Sequence, residues 1–304
     1  MNKSIWAPNN RYKLFIHLFF ILFCLLFILP FFMVISISFS SEELITSTNG
    51  GYSILPRGFT LEAYKMAFKD PQQIVDGYIV TTFTAVAGTL ITLLSAGMTG
   101  YVLSRSNFAY KGIITFLVFF TMLFSGGTIP TYVIYAKYYH LKNTIWIYLL
   151  PCLAGGAWNI LMIRTFCKGI PESLFEAAKI DGANELRIFF QIAVPLSKPV
   201  LASVGFVCLL GKWNDWQTSL VYIDDAKLYT LQYYLQRILN EAEYIKELIN
   251  SGLMVSDDFL ASMNTPTETL KYAMCIIATG PMLAVFPFFQ KYFEKGMVVG
   301  AVKG

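Results

Sequence analysis

Six long apolar stretches restrict the fold of this sequence more than any other feature. The hydrocarbon core of a bilayer is about 30 Å thick, so a helix needs roughly 20 apolar residues to cross it. Charged residues make up 14% of the chain, well below the ~25% of ordinary soluble domains. The sequence therefore predicts an all-α polytopic membrane protein with six transmembrane helices between residues 14 and 290. To within a few residues, the stretches are 14–39, 78–103, 112–135, 144–166, 198–220 and 269–290.

The distribution of lysine and arginine predicts which segments face the cytoplasm, where both residues are in excess in membrane proteins. If the N-terminus is cytoplasmic, 13 of the 23 Lys and Arg residues fall on that side, against five acidic residues. This predicts a cytoplasmic N-terminal segment at 1–13, a cytoplasmic tail at 291–304 and an external segment at 221–268. The net charge of +4 then reflects topology, and we expect no nucleic-acid partner.

Several chemical signatures are missing from the sequence. It contains no GxxxxGK[ST] loop, so no nucleotide site of that kind is predicted. The five cysteines are scattered singly, and His17 and His140 each stand alone, so we expect no metal site and no cofactor in this chain. No nucleophile is grouped with a base, which predicts that the chain is not an enzyme. Acidic residues are nearly absent from the apolar stretches, which argues against a secondary transporter with proton-relay carboxylates.

The segment 170–195, between the fourth and fifth stretches, has the pattern of two short amphipathic helices. Pro171 suits the first turn of a helix, and acidic residues follow it near the positive end of the helix dipole. Gly182 follows the first helix, where a left-handed backbone is needed, and Pro195 ends the second. Such a hairpin is either a rigid knob that a soluble partner grips or an interfacial hairpin on lipid headgroups.

Within this hairpin, Glu176-Ala-Ala-x-x-Asp-Gly-Ala183 is followed by Ile192-x-x-Pro195. The pattern closely resembles the signature of permease subunits of binding-protein-dependent ABC importers, which reads EAA, then G, then I-x-L-P. Val194 stands in place of the usual leucine. The tail Phe288–Gly304 is similar to the sugar-importing branch, in particular to the second permease subunit of maltose-type importers and its group for complex oligosaccharides. The resemblance extends over nearly the whole chain.

The resemblance implies the MetI-like fold of type I ABC importer permeases, in the cytoplasmic (inner) membrane of a bacterium. It also implies a homologous second permease subunit, two copies of a cytoplasmic ATPase that uses ATP and Mg, an extracytoplasmic solute-binding protein and a carbohydrate substrate. The hairpin would dock on the ATPase and carry its movement into the membrane. The residues implied in this coupling are Leu174, Glu176, Ala177, Ala178, Asp181, Gly182, Ala183, Phe189, Ile192 and Pro195. The tail residues implied in a further ATPase contact are Gly296, Gly300, Lys303 and Gly304.

The most polar group near an apolar stretch runs from Lys212 to Trp216, about 14 residues after Lys198. This distance places the group past the middle of the bilayer, toward the outside. An ionisable residue at that depth suggests a functional site. Tryptophan faces stack on sugar rings, and amide and carboxylate groups match sugar hydroxyls. The alternative is an ion pair between Lys212 and Asp215, with the tryptophans in the interfacial belt. The predicted substrate path consists of Lys212, Trp213, Asn214, Asp215 and Trp216.

A helix at about 228–250 in the external segment has an apolar stripe with helical spacing. The stripe packs on the protein's own outer surface or forms a platform for an external partner, and both can hold. It consists of Leu231, Leu235, Ile238, Ala242, Ile245 and Ile249.

These features predict the permease subunit of an ATP-driven importer of a carbohydrate, with an oligosaccharide favoured. The alternatives are an ABC permease for a non-sugar solute and a secondary transporter. A membrane enzyme would need a polar catalytic cluster, which the sequence lacks.

Overall fold

The computed structural model describes residues 10–47, 51–251 and 266–301. These residues are mostly helical and contain no β-strand, which confirms the predicted all-α fold class. They group into two compact units, the first formed from Met1–Asp70 and Arg237–Thr279 and the second from Pro71–Gln236 and Gly280–Gly304.

The described chain is a succession of α-helices with short π-helical and 3₁₀ turns. The turns are Val133–Tyr138 and Phe189–Ala193 (π) and Leu150–Ala154 and Ala226–Leu228 (3₁₀). The α-helices are α1 (Asn10–Ser38), α2 (Glu42–Thr46), α3 (Glu62–Ala67), α4 (Pro71–Ser104), α5 (Lys111–Leu123), α6 (Thr128–Tyr132), α7 (Trp146–Leu149), α8 (Ala157–Lys168), α9 (Glu172–Ile180), α10 (Glu185–Ile188), α11 (Val194–Leu196), α12 (Lys198–Trp213), α13 (Gln217–Tyr222), α14 (Leu231–Asn250) and α15 (Thr267–Ala301).

In the first unit, the Glu42 carboxylate caps the start of α15. It accepts hydrogen bonds from the backbone N–H groups of Glu268 and Thr269, both at 2.9 Å. It also accepts them from the hydroxyls of Thr267 at 3.3 Å and Thr269 at 3.0 Å. The first N–H groups of a helix have no partner within it, and an anion there also complements the helix dipole. A distant acidic residue thus satisfies the first turn of α15.

Helix α4 is the central element of the second unit and packs against both α8 and α12 through glycines. A Cβ atom at Gly100 would lie 3.0 Å from the Ile160 carbonyl oxygen of α8, and one at Gly205 of α12 would lie 3.0 Å from Leu93 Cδ1. Small residues at such positions let helices approach closely in lipid, where dispersion contacts replace the hydrophobic effect as the driving force. Side chains of α4, α8 and α12 form one buried apolar cluster, which includes Leu103 and Ile163.

Within the described residues, three uninterrupted helices are long and apolar enough to cross a membrane: Tyr12–Ser38, Pro71–Ser104 and Thr267–Pro287. Three bent pairs also qualify when their two arms are taken together. These pairs are Lys111–Leu123 with Thr128–Tyr138, bent by 113°, Trp146–Ala154 with Ala157–Lys168, bent by 42°, and Glu185–Leu196 with Lys198–Trp213, bent by 83°. The described residues give six crossings if each bent pair serves as one.

The predicted stretches 112–135, 144–166 and 198–220 are therefore interrupted rather than continuous helices. Glycines explain the first two breaks, because Gly127, Gly155 and Gly156 have φ of 84°, 72° and 74°, a conformation that other residues rarely adopt. In the third stretch, α12 ends at Trp213, and α13 begins at Gln217 after three intervening residues.

Replacement of Gly155 by alanine tests the left-handed break between the arms of the second bent pair. We expect Gly155→Ala to destabilise the protein by about 1–2 kcal/mol for the positive φ alone, and further because its Cβ would lie 3.0 Å from the Ala96 backbone nitrogen. The thermal midpoint in detergent should fall by several degrees. Gly112→Ala is the matched control, since Gly112 lies in α5 with no atom within 4 Å of its Cβ position. Equal midpoints for the two variants would contradict the prediction.

Candidate functional site

The segment 170–195 forms a hairpin whose turn is fixed by backbone hydrogen bonds. Helix α9 ends at Ile180, and Gly182 follows with φ of 80°. The Ala183 N–H donates to the Ala178 carbonyl at 2.9 Å and the Gly182 N–H to the Lys179 carbonyl at 3.0 Å, which is the Schellman pattern of helix termination. The second arm starts with Asn184, whose side chain accepts from the Arg187 N–H at 2.8 Å. Both ends of the turn are thus capped, so the two helices have a defined angle.

The inner face of the hairpin packs against the end of α4. The buried cluster there, which we call the hairpin core, contains Tyr101 of α4 and four hairpin residues: Phe175, Ile188, Phe189 and Ala193. Phe175 is 2% exposed, and its ring lies 5.8 Å from that of Tyr101 in an edge-on arrangement. Met98 of α4 packs against the same cluster. Burial of these large side chains holds the hairpin against the end of α4, although the two segments are remote in sequence.

Polar contacts surround the hairpin core. The Arg105 guanidinium lies 4.2 Å from the centre of the Phe175 ring, within the range of a cation–π contact. The Tyr101 hydroxyl donates to Glu185 Oε2 at 2.8 Å, and Lys179 Nζ lies 2.6 Å from Glu185 Oε1. Ser106 also donates to Glu172. These contacts hold both arms of the hairpin to the segment that ends α4.

The Glu185 carboxyl is ionised more readily than an isolated glutamic acid. The hydrogen bond from the Lys179 ammonium lowers the pKa of Glu185, and the Tyr101 hydroxyl, which also donates to this carboxylate, lowers the pKa further. Partial burial opposes this effect without cancelling it. The charged form is therefore the one that holds the second arm to Lys179 and Tyr101.

The outer face of the hairpin leaves apolar side chains exposed. Ile180 at the tip is 86% exposed, Leu186 57% and Leu174 45%. The residues predicted to couple to an ATPase divide between the two faces. Exposed are Leu174, Glu176, Ala177, Asp181, Gly182 and Pro195, partly covered are Ala178, Ala183 and Ile192, and Phe189 is buried in the hairpin core.

Sequence reasoning missed Phe175, Tyr101 and Arg105. For Phe175, the spacing of three residues to Ala178, which packs against the same core, is a signal that could have located the inner face. No signal in the sequence joins Tyr101 and Arg105 to a hairpin some 70 residues further along the chain.

The predicted substrate path, from Lys212 to Trp216, lies at the end of α12, and its residues make different contacts. Trp213 is buried, with its ring centre 6.4 Å from that of Tyr78, whereas Trp216 is exposed. Asp215 accepts two hydrogen bonds from Thr218, from the backbone N–H at 3.0 Å and from the hydroxyl at 2.6 Å. It thereby stabilises the first turn of α13 and does not pair with Lys212. Asn214 donates to the Leu210 carbonyl at 3.0 Å.

A buried hydroxyl network fixes the segment that follows. The Ser219 hydroxyl lies 2.7 Å from the Tyr148 hydroxyl and 2.9 Å from that of Thr230. The Thr230 hydroxyl donates to the Asp215 carbonyl at 2.8 Å. Each hydroxyl of this network therefore has a hydrogen-bond partner, as burial in a low-dielectric interior requires. The network gives the end of α12 a defined position relative to α7 and α13.

The remaining predicted features are placed as follows. Gly296 and Gly300 lie within α15, whereas Lys303 and Gly304 lie outside the described residues. In α14, Leu231, Leu235 and Ala242 of the predicted stripe are buried, so this part of the stripe packs on the protein itself. No group of three or more His, Cys, Asp or Glu residues suited to a metal occurs in the part of the chain that the structure describes.

Comparison with known proteins relates the chain to a group of transport proteins. The family described as binding-protein-dependent transport system inner membrane component matches residues 88–299. The polygalacturonan/rhamnogalacturonan transport system permease protein YtcP of Bacillus subtilis (strain 168) is 36% identical, over 97% of this chain and 99% of its own length. Protein LplC of the same organism is 37% identical, over 91% of this chain and 89% of its own length.

Two further comparisons extend this relationship. The arabinooligosaccharides transport system permease protein AraQ of Bacillus subtilis (strain 168) is 26% identical, over 96% of each chain. The crystal structure of a bacterial ABC transporter involved in the import of the acidic polysaccharide alginate contains a similar chain. It matches 96% of this chain and 100% of that one with a TM-score of 0.74 and 26% identity.

Truncation of Phe175 tests whether the hairpin core holds the hairpin in place. Loss of a buried phenylalanine side chain costs about 3–5 kcal/mol, so we expect Phe175→Ala to raise the rate of tryptic cleavage at Lys179 and Arg187 at least tenfold. Leu174→Ala, its exposed neighbour, should change that rate by less than about threefold. Similar cleavage rates for the two variants would show that the inner face does not restrain the hairpin.

The lowered pKa of Glu185 predicts how the hairpin responds to pH. A carboxyl with a folded-state pKa below its unfolded value stabilises the fold above the unfolded pKa, and this contribution is lost as pH falls through the folded pKa. Wild type should therefore resist trypsin more than Glu185→Gln at neutral pH. Because the Lys179–Glu185 pair is largely exposed, the difference should be below about 1 kcal/mol. The difference in thermal midpoint between the two proteins should vanish on acidification, and a constant difference across pH would contradict this.

Proposed function

The chain belongs to the family of binding-protein-dependent transport system inner membrane components, and on this basis we propose that it is the permease subunit of an ATP-driven importer of a carbohydrate. The proposed membrane is the cytoplasmic (inner) membrane of a bacterium, with both termini and the hairpin on the cytoplasmic side. The excess of lysine and arginine in those segments supports this orientation.

The observation that carries the coupling proposal is the division of the hairpin into an anchored inner face and an exposed outer face. Phe175 and Phe189 fix the inner face to α4, while Ile180 and Leu186 are exposed on the outer face. An exposed apolar knob on a rigid support is suited to insertion into a groove of a soluble partner. Glu176 and Asp181 lie beside these apolar residues and are exposed too. The proposed partner for this face is the cytoplasmic ATPase.

Anchoring of the hairpin to α4 also determines which helices a movement of the ATPase would displace. A force on the outer face reaches α8 and α12 through the chain, because these helices flank the hairpin. It reaches α4 through Tyr101 and Arg105, which contact Phe175 without being neighbours in sequence. Three helices of the second unit would therefore receive the movement together. Conversion between inward- and outward-facing arrangements requires such concerted displacement of packed helices.

The proposed assembly contains a homologous second permease subunit, two copies of the ATPase and an extracytoplasmic solute-binding protein. ATP and Mg would be bound and used by the ATPase, and this chain would supply half of the translocation pathway. The family description supports the requirement for a binding protein. The tail residues Gly296, Gly300, Lys303 and Gly304 are proposed to contribute a second contact with the ATPase.

An oligosaccharide is the substrate class that the comparisons support best for this chain. The names of YtcP and AraQ refer to polygalacturonan/rhamnogalacturonan and to arabinooligosaccharides, and the structural neighbour imports alginate. These carbohydrates include acidic and neutral ones, so the names leave the charge of the substrate open. A permease of the same class for a non-sugar solute remains the second candidate. No observation on the described residues favours a self-sufficient secondary transporter.

The coupling proposal is tested by co-purification of the ATPase from detergent with Glu176→Lys and Gly182→Pro variants. Reversal of an exposed charge at a docking surface should reduce retention of the ATPase at least tenfold. Proline cannot adopt the φ of 80° at Gly182 and lacks the N–H that donates to Lys179. Glu62→Lys is the matched control, because Glu62 is an exposed acid on α3, outside the hairpin. This control should retain the ATPase as wild type does.

The outcome that would overturn the coupling role is equal retention of the ATPase by Glu176→Lys and Glu62→Lys. Tryptic cleavage at Lys179 and Arg187 would be measured on the same samples, which separates loss of docking from loss of the hairpin. A wild-type chain that retains no ATPase when co-produced with the other subunits would reject the importer assignment itself.

A further inference from the structure

Lys212 lies against the middle of α4, far from either end of that helix. Contacts of Gly205 with Leu93 and of Gly97 with Leu201 give the antiparallel register of α4 and α12. In continuation of this register, the Lys212 Cδ and Cε atoms lie 3.6 Å from where a Cβ of Gly88 would be. Gly88 is about 25 Å along the axis from each end of α4. The partly exposed lysine therefore lies at the level of the middle of α4, beside a glycine that leaves room for its stem.

The aliphatic stem of the Lys212 side chain packs against α4. Side chains on a helix lean toward its N-terminus, and here the stem contacts Gly88 instead of extending past Trp213. Lysines near the end of a membrane helix usually extend outward so that the charge reaches water. The stem of Lys212 instead lies against Gly88 of α4.

No carboxylate pairs with Lys212 in the described ranges 10–47, 51–251 and 266–301. Asp215, the nearest acid in sequence, is bonded to Thr218. The only acid in α4, α8 and α12 is Asp76, which is bonded to Gln72 and lies about 18 Å along α4 from Gly88. Cys152 Sγ lies beside the same glycine, 3.3 Å from the Cβ position of Gly88. One turn before Lys212, Cys208 Sγ accepts from the amide of Asn159, which also donates to the Gly155 carbonyl.

An ionised lysine at this depth requires a counter-charge, because a cation in the bilayer interior is costly unless an anion or water stabilises it. We infer that the substrate supplies this anion, and that Lys212 binds an acidic group of the transported oligosaccharide, such as a uronate carboxylate. The inference rests on the proposed function and narrows it to acidic oligosaccharides. Thr89, next to Gly88, has a buried hydroxyl without a hydrogen-bond partner in the described residues, and could bind a sugar hydroxyl at the same level.

A competing source of the anion is an acidic residue of the second permease subunit. In that case Lys212 would hold the two subunits together, and its removal would reduce uptake of every substrate alike. The two possibilities therefore differ in whether the effect of a substitution depends on the charge of the sugar.

The test measures uptake of trigalacturonate and of its fully methyl-esterified, neutral form in proteoliposomes that contain the complete transporter and its binding protein. Lys212→Gln should lower uptake of trigalacturonate at least tenfold, the effect of losing a charge-assisted hydrogen bond, and change uptake of the ester by less than about threefold. Lys212→Arg retains the charge and should restore most of the uptake of the acid. Lys69→Gln, at an exposed lysine outside these helices, should match wild type with both probes.

Equal loss of both probes in Lys212→Gln, together with weaker retention of the second permease subunit, would assign the lysine to the subunit interface and overturn the inference. Unchanged uptake of trigalacturonate would overturn it as well. Uptake of neither probe by a wild-type complex that retains its ATPase would reject acidic oligosaccharides while leaving the proposed importer function intact. Absence of the ATPase from the complex would instead contradict the proposed function.

Discussion

Close packing of α4 against α8 and α12 is the constraint on which the second unit depends. Gly100 and Gly205 let the backbones of these helices approach closely. Gly155 has a left-handed conformation beside Ala96, and this turns the chain so that α8 can pack along α4. In lipid, helices gain little from the hydrophobic effect, so dispersion contacts between closely packed helices provide most of the attraction. Larger side chains at these glycines would separate the helices and remove those contacts. The hairpin and the environment of Lys212 both depend on the resulting position of α4.

The hairpin illustrates how a short segment gains rigidity from a distant helix. Two helices of nine and four residues are too short to be stable alone in water. Their order comes from burial of Phe175, Ile188 and Phe189 against Tyr101, supplemented by the contacts of Arg105 and Glu185. As a result, apolar side chains on the outer face are held in fixed positions for a partner. In the proposed coupling, a hairpin without this anchor would transmit little movement to α4.

The basic residues Arg105 and Lys212 differ in whether the fold supplies partners for their charge. Arg105 lies at the end of α4, where a phenylalanine ring and a carboxylate are within reach. Lys212 lies near the middle of α4, although placing a lysine at the centre of a membrane helix costs about 2.5–3.5 kcal/mol on insertion scales. The fold supplies partners for the first charge, whereas no carboxylate among the described residues pairs with the second. On the proposed pathway, Lys212 would therefore be the residue most sensitive to the charge of the substrate.

Local patterns were sufficient to identify the class of the protein, because it follows from apolar stretches of membrane length and from a hairpin with glycine and proline at its turns. Gly182 was correctly expected to be left-handed, since the residue after a helix needs that conformation. Local patterns did not determine where the helices in 112–135, 144–166 and 198–220 are interrupted, which depends on contacts such as those of Asp215 and Gly155. The pairing of Phe175 with Tyr101 and of Lys212 with Gly88 became evident only from the packing of the folded chain. These pairings join residues through packing across helices, and sequence periodicity carries no information about which helix faces which.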